Sequence, residues 1–574
     1  MRIMALSKDC LLKVRDNRPW KSNGEEYYRD LIVIHIDFDK MKAQMIINDT
    51  ESRYGDIGLL QKELEVISGF RKERRCEKQR KTVVWVNSLH INKGFFKGFE
   101  EEYHRTNKEE KLWRLYNDDF ELRNFSTIAN SSSLEDIRKS CGFSEKLSGG
   151  QVMKEFLKIR LEKLKGWGKL NYSFAYCANK IFYEGLNGLT YSNSNSIPSL
   201  DVYRLIQSCC KAGAITYASE YERKVLNMVK SWDLSSAYPS QFVRQKMPIG
   251  KFYRHAATPT NLKMAMDEDK SFIVVIKVKN KMKQAENIIG ICAEEKEDGF
   301  YYTLTDWDVK CFKLLGIQMK GIIADLRICE KKEYLAKEFR ERVVEYYEEK
   351  QKTKGVNNTL YFEKKTTLDA IWGKGLQNIN PQSDEDIKKR YWRNPARYLL
   401  PQWSLWGAAA TRYEMIKAIV GIIDISIEDF VACDTDGIKF LGDHNEYFKK
   451  RNEEIMAENA AAGFPNCEIG TWKYEGCFEN FIQLKKKVYA YSTNGELTCK
   501  FAGCSKGAWK EFFKDMEIEE AFERLSKEDF FIPASYGACS TYFWCNGKLF
   551  TESRGYKPGD EIIGINQAKA VQGM

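Results

Sequence analysis

The sequence predicts a mixed α/β (α+β) protein of two or more domains. Three observations carry that prediction. The chain has 574 residues, too many for one hydrophobic core. β-type runs alternate with long helical stretches. A Gly-, Ser-, Asn- and Pro-rich segment at 187–201 (NGLTYSNSNSIPSLD) divides the chain. A hydrophobic content of 43% with 30% charged residues describes a globular protein rather than a disordered or fibrous one.

Along the chain, 31–39 (LIVIHIDFD) is a β-type run ending in acids, and 83–86 (VVWV) is a second. A basic stretch at 71–81 lies between them. Helical periodicity marks 151–166 and 173–186, then 330–351 and 360–376, the last bounded by VNN and NINP. Segments 427–433 and 437–441 flank Asp434-Thr435 and predict a hairpin. Residues 480–492 alternate like one half-buried strand.

The net charge of +10 is spread along the chain and suits a polyanionic partner. Sixteen cysteines include no C-x-x-C pair, and with only five histidines a structural zinc is not expected. The first twenty residues lack the apolar core of a signal peptide, and 415–427 falls short of a membrane span. A reduced intracellular setting, without a membrane, is the expectation.

Two motifs mislead. LSGGQ at 147–151 resembles a transporter ATPase signature, but no G-x-x-x-x-G-K-[ST] accompanies it, so it predicts a Gly-Gly turn opening a helix. Asp434-Thr435-Asp436-Gly437 is not a calcium loop, since an EF-hand needs its glycine at position six and an acid at twelve.

Three segments carry chemistry together: 231–252 (SWDLSSAYPSQFVRQKMPIGKF), the helix with Lys365, Asp369, Trp372 and Gly373, and the hairpin VACDTDGIKF. Nucleotidyl transfer uses two divalent ions about 3.5–4 Å apart. Carboxylates on neighbouring strands, about 4.8 Å apart, can bridge such a pair, and magnesium prefers oxygen ligands. A helix lysine supplies a point charge for a triphosphate.

D-x-x-S-x-Y-P-S, the Lys365–Gly373 helix and Asp-Thr-Asp, in this order, resemble the palm and fingers motifs of family B DNA polymerases. Further elements are similar to the protein-primed branch of small bacteriophages and linear plasmids: MPIGKF, Lys487-Val488-Tyr489, Lys500–Gly503, and Cys210-Lys211-Ala212-Gly213 as a worn linking element. The resemblance covers roughly 170–510. It implies a right-hand polymerase (palm, fingers, thumb) behind an N-terminal exonuclease-like, RNase H-type α/β domain. The implied limits are 1–200 for the exonuclease-like domain and 201–574 for the polymerase. Within the latter, palm is 201–250 and 404–495, a first insertion 251–340, fingers 341–378, a second insertion 379–403 and thumb 496–574.

Residue by residue, the resemblance makes Asp233, Asp436 and the Leu234 carbonyl metal ligands, with Asp434 a supporting catalytic acid. Tyr238, Lys365, Asp369 and Lys350 would contact the nucleotide; Lys487, Tyr489, Lys211 and Gly213 would contact DNA. Two Mg²⁺ ions are implied, with Mn²⁺ as a substitute, and so are template and primer DNA, a deoxynucleotide and a terminal protein primer, with the chain a monomer in the host cytoplasm. The chain departs from the pattern at Asp369 for asparagine, Trp372 for tyrosine and Gly437 for serine. An acid at 369 is electrostatically awkward beside a triphosphate. The exonuclease acids look degenerate: Asp37 and Asp39 remain, but Phe96 and Lys180 stand where acids belong, so proofreading is expected to be lost. The rival readings are a non-catalytic DNA-binding relic and a polymerase with unusual template use, such as reverse transcription.

Overall fold

A computed structural model describes residues 20–22, 25–27, 32–37, 42–47, 50–54, 82–87, 99–105, 110–116, 120–125, 129, 134–163, 182, 186, 196–377, 379–392, 400–426, 428–502, 509–510, 512–527, 531–532, 541–545 and 548–552. The chain forms two compact units. The first is Met1–Glu184 with Glu348–Ala370, and the second is Gly185–Tyr347 with Ile371–Met574. The basic stretch 71–81, the segment 187–195 and most of 173–186 lie outside the described residues.

The first unit begins with a short hairpin, β1 (Trp20–Ser22) and β2 (Glu25–Tyr27). Its main sheet holds β3 (Ile32–Asp37), β4 (Lys42–Ile47), β5 (Thr50–Tyr54), β6 (Thr82–Val86), β7 (Glu100–Arg105), β8 (Glu110–Tyr116) and β9 (Phe120–Asn124), in the order β5-β4-β3-β6-β9-β8-β7. β3, β6 and β9 pair in parallel. The β-type runs of the sequence are therefore β3 and β6. Val33, Trp85 and Phe125 pack against Val152 and Phe156 of the helix Gly149–Lys163.

That helix explains LSGGQ. Ser148 and Gln151 cap one another, with Ser148 N–H on Gln151 Oε1 at 2.8 Å and Gln151 N–H on Ser148 Oγ at 3.3 Å. A Cβ on Gly149 would fall 2.5 Å from the His35 ring, and one on Gly150 would fall 2.6 Å from Gln44 Oε1. The glycines allow close packing of helix on sheet.

The second unit contains β10 (Ala214–Tyr217), β11 (Val225–Leu234), β12 (Met247–Arg254), β13 (Phe272–Val278), β14 (Glu294–Lys296), β15 (Gly299–Thr305), β16 (Ile322–Glu333), β17 (Phe430–Thr435), β18 (Gly437–Phe440), β19 (Trp472–Lys485), β20 (Val488–Thr493) and β21 (Glu496–Phe501). Its seven-stranded antiparallel sheet runs β10-β17-β18-β11-β19-β20-β21. Leu234, Cys433, Ile438 and Phe440 line one face and pack on Met415, Ile419, Phe448 and Trp472. A five-stranded sheet, β12-β16-β13-β15-β14, occupies most of 251–340 together with the helices Pro259–Asp267 and Asp306–Leu314.

Two elements differ from the sequence reading. The helix expected at 330–351 spans Lys337–Thr353. Its first residues belong instead to β16, held by antiparallel pairing of Met247 with Glu333. The single strand expected at 480–492 is a hairpin of β19 and β20, turned at Lys487 in a left-handed conformation (φ 62°). A KKK run reads as polar alternation, and its turn carries no glycine to betray it.

The helices behind the sheet are joined by a buried ionic cluster. Arg451 grips Glu414 with two hydrogen bonds (Nε 2.7 Å, Nη2 2.6 Å), and Arg244 lies 3.5 Å from the same carboxylate. Burial alone would raise Glu414, but Arg451 outweighs it and holds the carboxyl down at about 2. Among the described residues, no helix is long and apolar enough to cross a membrane.

Asp306 is the opposite case. It is 3% exposed, and burial pushes its carboxyl up to about 6 despite Lys332 Nζ 3.6 Å away. A carboxyl raised above its unfolded value of about 3.9 stabilises the fold below that pH, and the contribution is lost as pH rises through the folded value. Asp306→Asn should therefore gain stability over wild type as pH rises from about 4 to 6, reaching on the order of 1–3 kcal/mol and levelling off above that. Urea unfolding across that range checks this, and a difference independent of pH would refute it.

Candidate active site

Asp233 lies one residue from the end of β11, where its register partner is Gly437 of β18. Asp434 lies one residue from the end of β17 in the adjoining hairpin and also pairs with Gly437. Between the strands, Asp436 N–H donates to Asp434 O at 2.7 Å across Thr435, which sits at φ 67°. This tight turn puts a β-branched residue in a left-handed conformation, which costs about 1–3 kcal/mol. The turn places Asp434 and Asp436 on either side of its apex. Leu234 N–H donates to Asp436 O at 2.7 Å, tying both acid-bearing segments together.

The support beneath the turn is Gly213. A Cβ there would meet the Thr435 Cα at 2.8 Å and its Cγ2 at 2.9 Å, so only glycine fits this close approach. The loop before it is held by Arg412, which is fully buried on the helix Pro401–Ile423. Its Nη1 donates to Cys210 O (3.0 Å) and Ala212 O (2.7 Å), and its Nη2 to Asp308 Oδ1 (2.5 Å). Burial would lower the guanidinium, but Asp308 outweighs that and raises it, so the charge is fixed. Asp308 in turn closes a capping box with Thr305.

On β18, Ile438 and Phe440 enter the core behind the sheet. Lys439 between them takes the opposite side, 5% exposed, with its Nζ 4.6 Å from the Tyr489 ring centroid. Burial lowers Lys439 from the usual lysine range, and Asp434, Asp233 and Asp436 only partly restore it. Lys487 Nζ lies 3.7 Å from Asp434 Oδ1, which also accepts from Thr435 Oγ1 at 3.1 Å. Asp434 is thus engaged by protein groups, as suits a supporting acid. Burial raises the Tyr489 hydroxyl, with Asp434 adding to it.

Tyr238 opens the helix Ala237–Arg244 and stacks on Trp372, with centroids 4.1 Å apart and planes 8° from parallel. Trp372 Nε1 donates to Ser404 O at 2.9 Å, which fixes the indole. Burial first, then Asp436, raises the Tyr238 hydroxyl and keeps it protonated at neutral pH. Lys211 hydrogen-bonds Gln207.

Lys350, Lys365 and Asp369 belong to the first unit. Lys350 is buried, while Lys365 and Asp369 are exposed on the helix Asn358–Gly375. Surrounding protein raises the Asp369 carboxyl, with Lys365 and Lys350 pulling the other way, and exposure to water moderates the rise. In the degenerate exonuclease set, Asp37 ends β3, whereas Asp39, Phe96 and Lys180 lie outside the described residues.

Among the described residues, no three His, Cys, Asp or Glu side chains converge as a metal cage. Magnesium does not require one, since it retains waters and uses one or two carboxylates with substrate phosphates. Gly437 supports that fit: a Cβ there would press to 3.3 Å of Asp233 Oδ1, so the glycine keeps the carboxylate face open. Arg412 and Lys439 were missed by sequence reasoning. Their only signal was a charge inside an apolar run.

Gly213→Ala should destabilise the protein by about 1–3 kcal/mol through overpacking against the turn. Adding Thr435→Gly, which relieves both the methyl contact and the left-handed strain, should recover a large part of the loss. A double-mutant cycle by chemical denaturation checks this, and additive effects would refute the contact.

No protein-family profile and no curated protein matches the chain. Solved structures do. Phi29 DNA polymerase complexed with primer-template DNA and incoming nucleotide substrates matches with TM-score 0.59 at 12% identity, covering 92% of this chain and all of that one. The same polymerase with single-stranded DNA gives TM-score 0.56 at 12% identity over 92% of this chain and 100% of its own. Its orthorhombic crystal form gives 0.54 at 12% identity, over 84% of this chain and 94% of its own. The chain has the fold of Phi29 DNA polymerase, a protein-primed family B polymerase.

Proposed function

We propose that the chain is a DNA-directed DNA polymerase that adds deoxynucleotides to a 3′ hydroxyl by two-metal nucleotidyl transfer. The observation that carries this reading is the placement of Asp233 near the end of β11 beside Asp436 in the turn of the adjoining hairpin, joined through Leu234 N–H and Asp436 O, in a chain with the Phi29 polymerase fold. Asp233, Asp436 and the Leu234 carbonyl would hold two Mg²⁺ ions, or Mn²⁺ in their place. Bound there, the ions would lower the pKa of the attacking hydroxyl and neutralise the leaving phosphates. Asp434, tethered by Lys487, supports the turn. By resemblance, Lys365, Lys350 and Asp369 would meet the nucleotide, and Lys211, Gly213, Lys487 and Tyr489 the DNA. The same resemblance points to a terminal protein primer for a linear viral or plasmid genome, and the substitutions Phe96 and Lys180 to a lost 3′–5′ exonuclease.

Primer extension on DNA and RNA templates with deoxynucleotides and magnesium tests the reading. Wild type should extend on DNA, and Asp233→Ala or Asp436→Ala should lose at least about a thousandfold in rate while still binding DNA. Near-normal extension by either variant would overturn the assignment. Two further arms address the finer claims. A labelled deoxynucleotide should become attached to a co-encoded protein hydroxyl, and labelled single-stranded DNA without nucleotides should not shorten; the contrary outcomes reject priming and exonuclease loss respectively.

Sugar selection should depend on Tyr238 and on the ring that holds it. Tyr238→Val should raise ribonucleotide incorporation at least about tenfold by removing contact with the 2′ substituent. Trp372→Leu, which leaves Tyr238 unstacked, should raise it by a smaller factor. Unchanged discrimination in both folded variants would show that the stacked pair is only packing.

A further inference from the structure

Asp233, Asp434 and Asp436 stand on one hairpin turn and the strand beside it, and like charges so placed repel one another. Lys487 serves Asp434 from the exposed side, at 3.7 Å and with a side chain 45% exposed. Lys439 approaches from inside. It is 5% exposed, and its backbone pairs with Ser231 on β11 and Ala432 on β17, so it lies between the strands carrying Asp233 and Asp434. Val229, Ala432, Phe478 and Phe481, with Tyr489 against them, form the apolar cluster on this part of the sheet. Its ammonium rests on the Tyr489 ring. Among the described residues Lys439 makes no direct ion pair, yet it lies in the field of Asp434, Asp233 and Asp436 together. A buried lysine without an ion pair is expensive unless an opposite charge answers it. The carboxylates in whose field it lies are those of the acidic turn, half-buried, with the Asp434 side chain 31% exposed.

We propose that Lys439 is the resident counter-ion of this acidic turn, a positioning residue that holds the three carboxylates together in the metal-free protein and opposes divalent ions when they arrive. The proposal rests on the reading that Asp233 and Asp436 bind divalent ions. Its consequence is a weakened metal affinity in the absence of nucleotide. Ions would be retained only when substrate phosphates add ligands and negative charge, so metal loading follows substrate binding. Tyr489 contributes by screening Lys439 from water with its ring face, the favoured geometry for a cation on an aromatic surface.

The test uses the full chain, without DNA or nucleotide, titrated with Mn²⁺ and followed by loss of the free-ion electron paramagnetic resonance signal. Lys439→Met, which keeps the stem and removes the charge, should bind Mn²⁺ on the order of tenfold more tightly than wild type. Lys439→Gln provides a second neutral variant with the same expectation should the methionine protein fold poorly. Lys439→Arg should retain wild-type affinity. A lysine with only a packing role would change stability but leave Mn²⁺ affinity alone, and that result in a folded neutral variant overturns the proposal. The Asp233→Asn, Asp436→Asn double variant separates the two levels. If it binds Mn²⁺ as wild type does, the metal reading itself falls; if it loses binding while the lysine variants match wild type, only the role of Lys439 falls.

Discussion

The acidic turn depends on one buried guanidinium. Arg412 bonds to the carbonyls of Cys210 and Ala212 and to the carboxylate of Asp308. Those carbonyls belong to the loop that sets Gly213 against Thr435, so the guanidinium fixes the floor on which the strained turn rests. Removing one partner from a buried pair leaves an uncompensated charge, which costs about 3–5 kcal/mol. Loop, turn and the helix Asp306–Leu314 that supplies Asp308 are therefore tied together by a single side chain. Through that helix the 251–340 segment is a structural partner of the acidic site.

Much of the site was legible in the sequence because its parts are local. An acid closing a β-type run, Ser-x-Tyr-Pro-Ser after it and Asp-Thr-Asp between two strand signals each sit within about ten residues, and the hairpin formed from the two expected segments, with its turn one residue later, at Thr435-Asp436. The supporting shell was not legible, because its contacts are remote. Arg412 reaches across 202 residues to Cys210 and 104 to Asp308. Nothing in an apolar helix announces which loop its one arginine will meet. Lys439 stands between Ile438 and Phe440, where a charged strand residue ordinarily faces water; here the facing strands and Tyr489 cover it. The two misplaced elements fail for related reasons. The charged run at 330–333 is strand because a distant partner, β12, claims it, and the KKK turn bends without glycine.

The departures from the family pattern gain physical content. Gly437 leaves space beside the Asp233 carboxylate that a side chain would crowd. Trp372 gives Tyr238 a wider stacking surface and anchors it through the indole N–H on Ser404. Gly437 is the register partner of both Asp233 and Asp434, whereas Trp372 acts through the Tyr238 ring. Asp369 keeps its unusual acid exposed beside two lysines that moderate it.

The first unit is discontinuous in sequence, since Met1–Glu184 is completed by Glu348–Ala370. The returning segment docks through Asn357 Nδ2 on Ser140 O (2.8 Å) and Thr359 N–H on Ser140 Oγ (3.3 Å). During synthesis, the ribosome must make the whole of Gly185–Tyr347 before that segment exists. At about 5–20 residues per second, the N-terminal part then waits on the order of ten seconds or more in an incomplete state. For that interval Ser140 lacks the two partners that Asn357 and Thr359 bring. The nested order thus sets an earliest time at which the first unit can be completed.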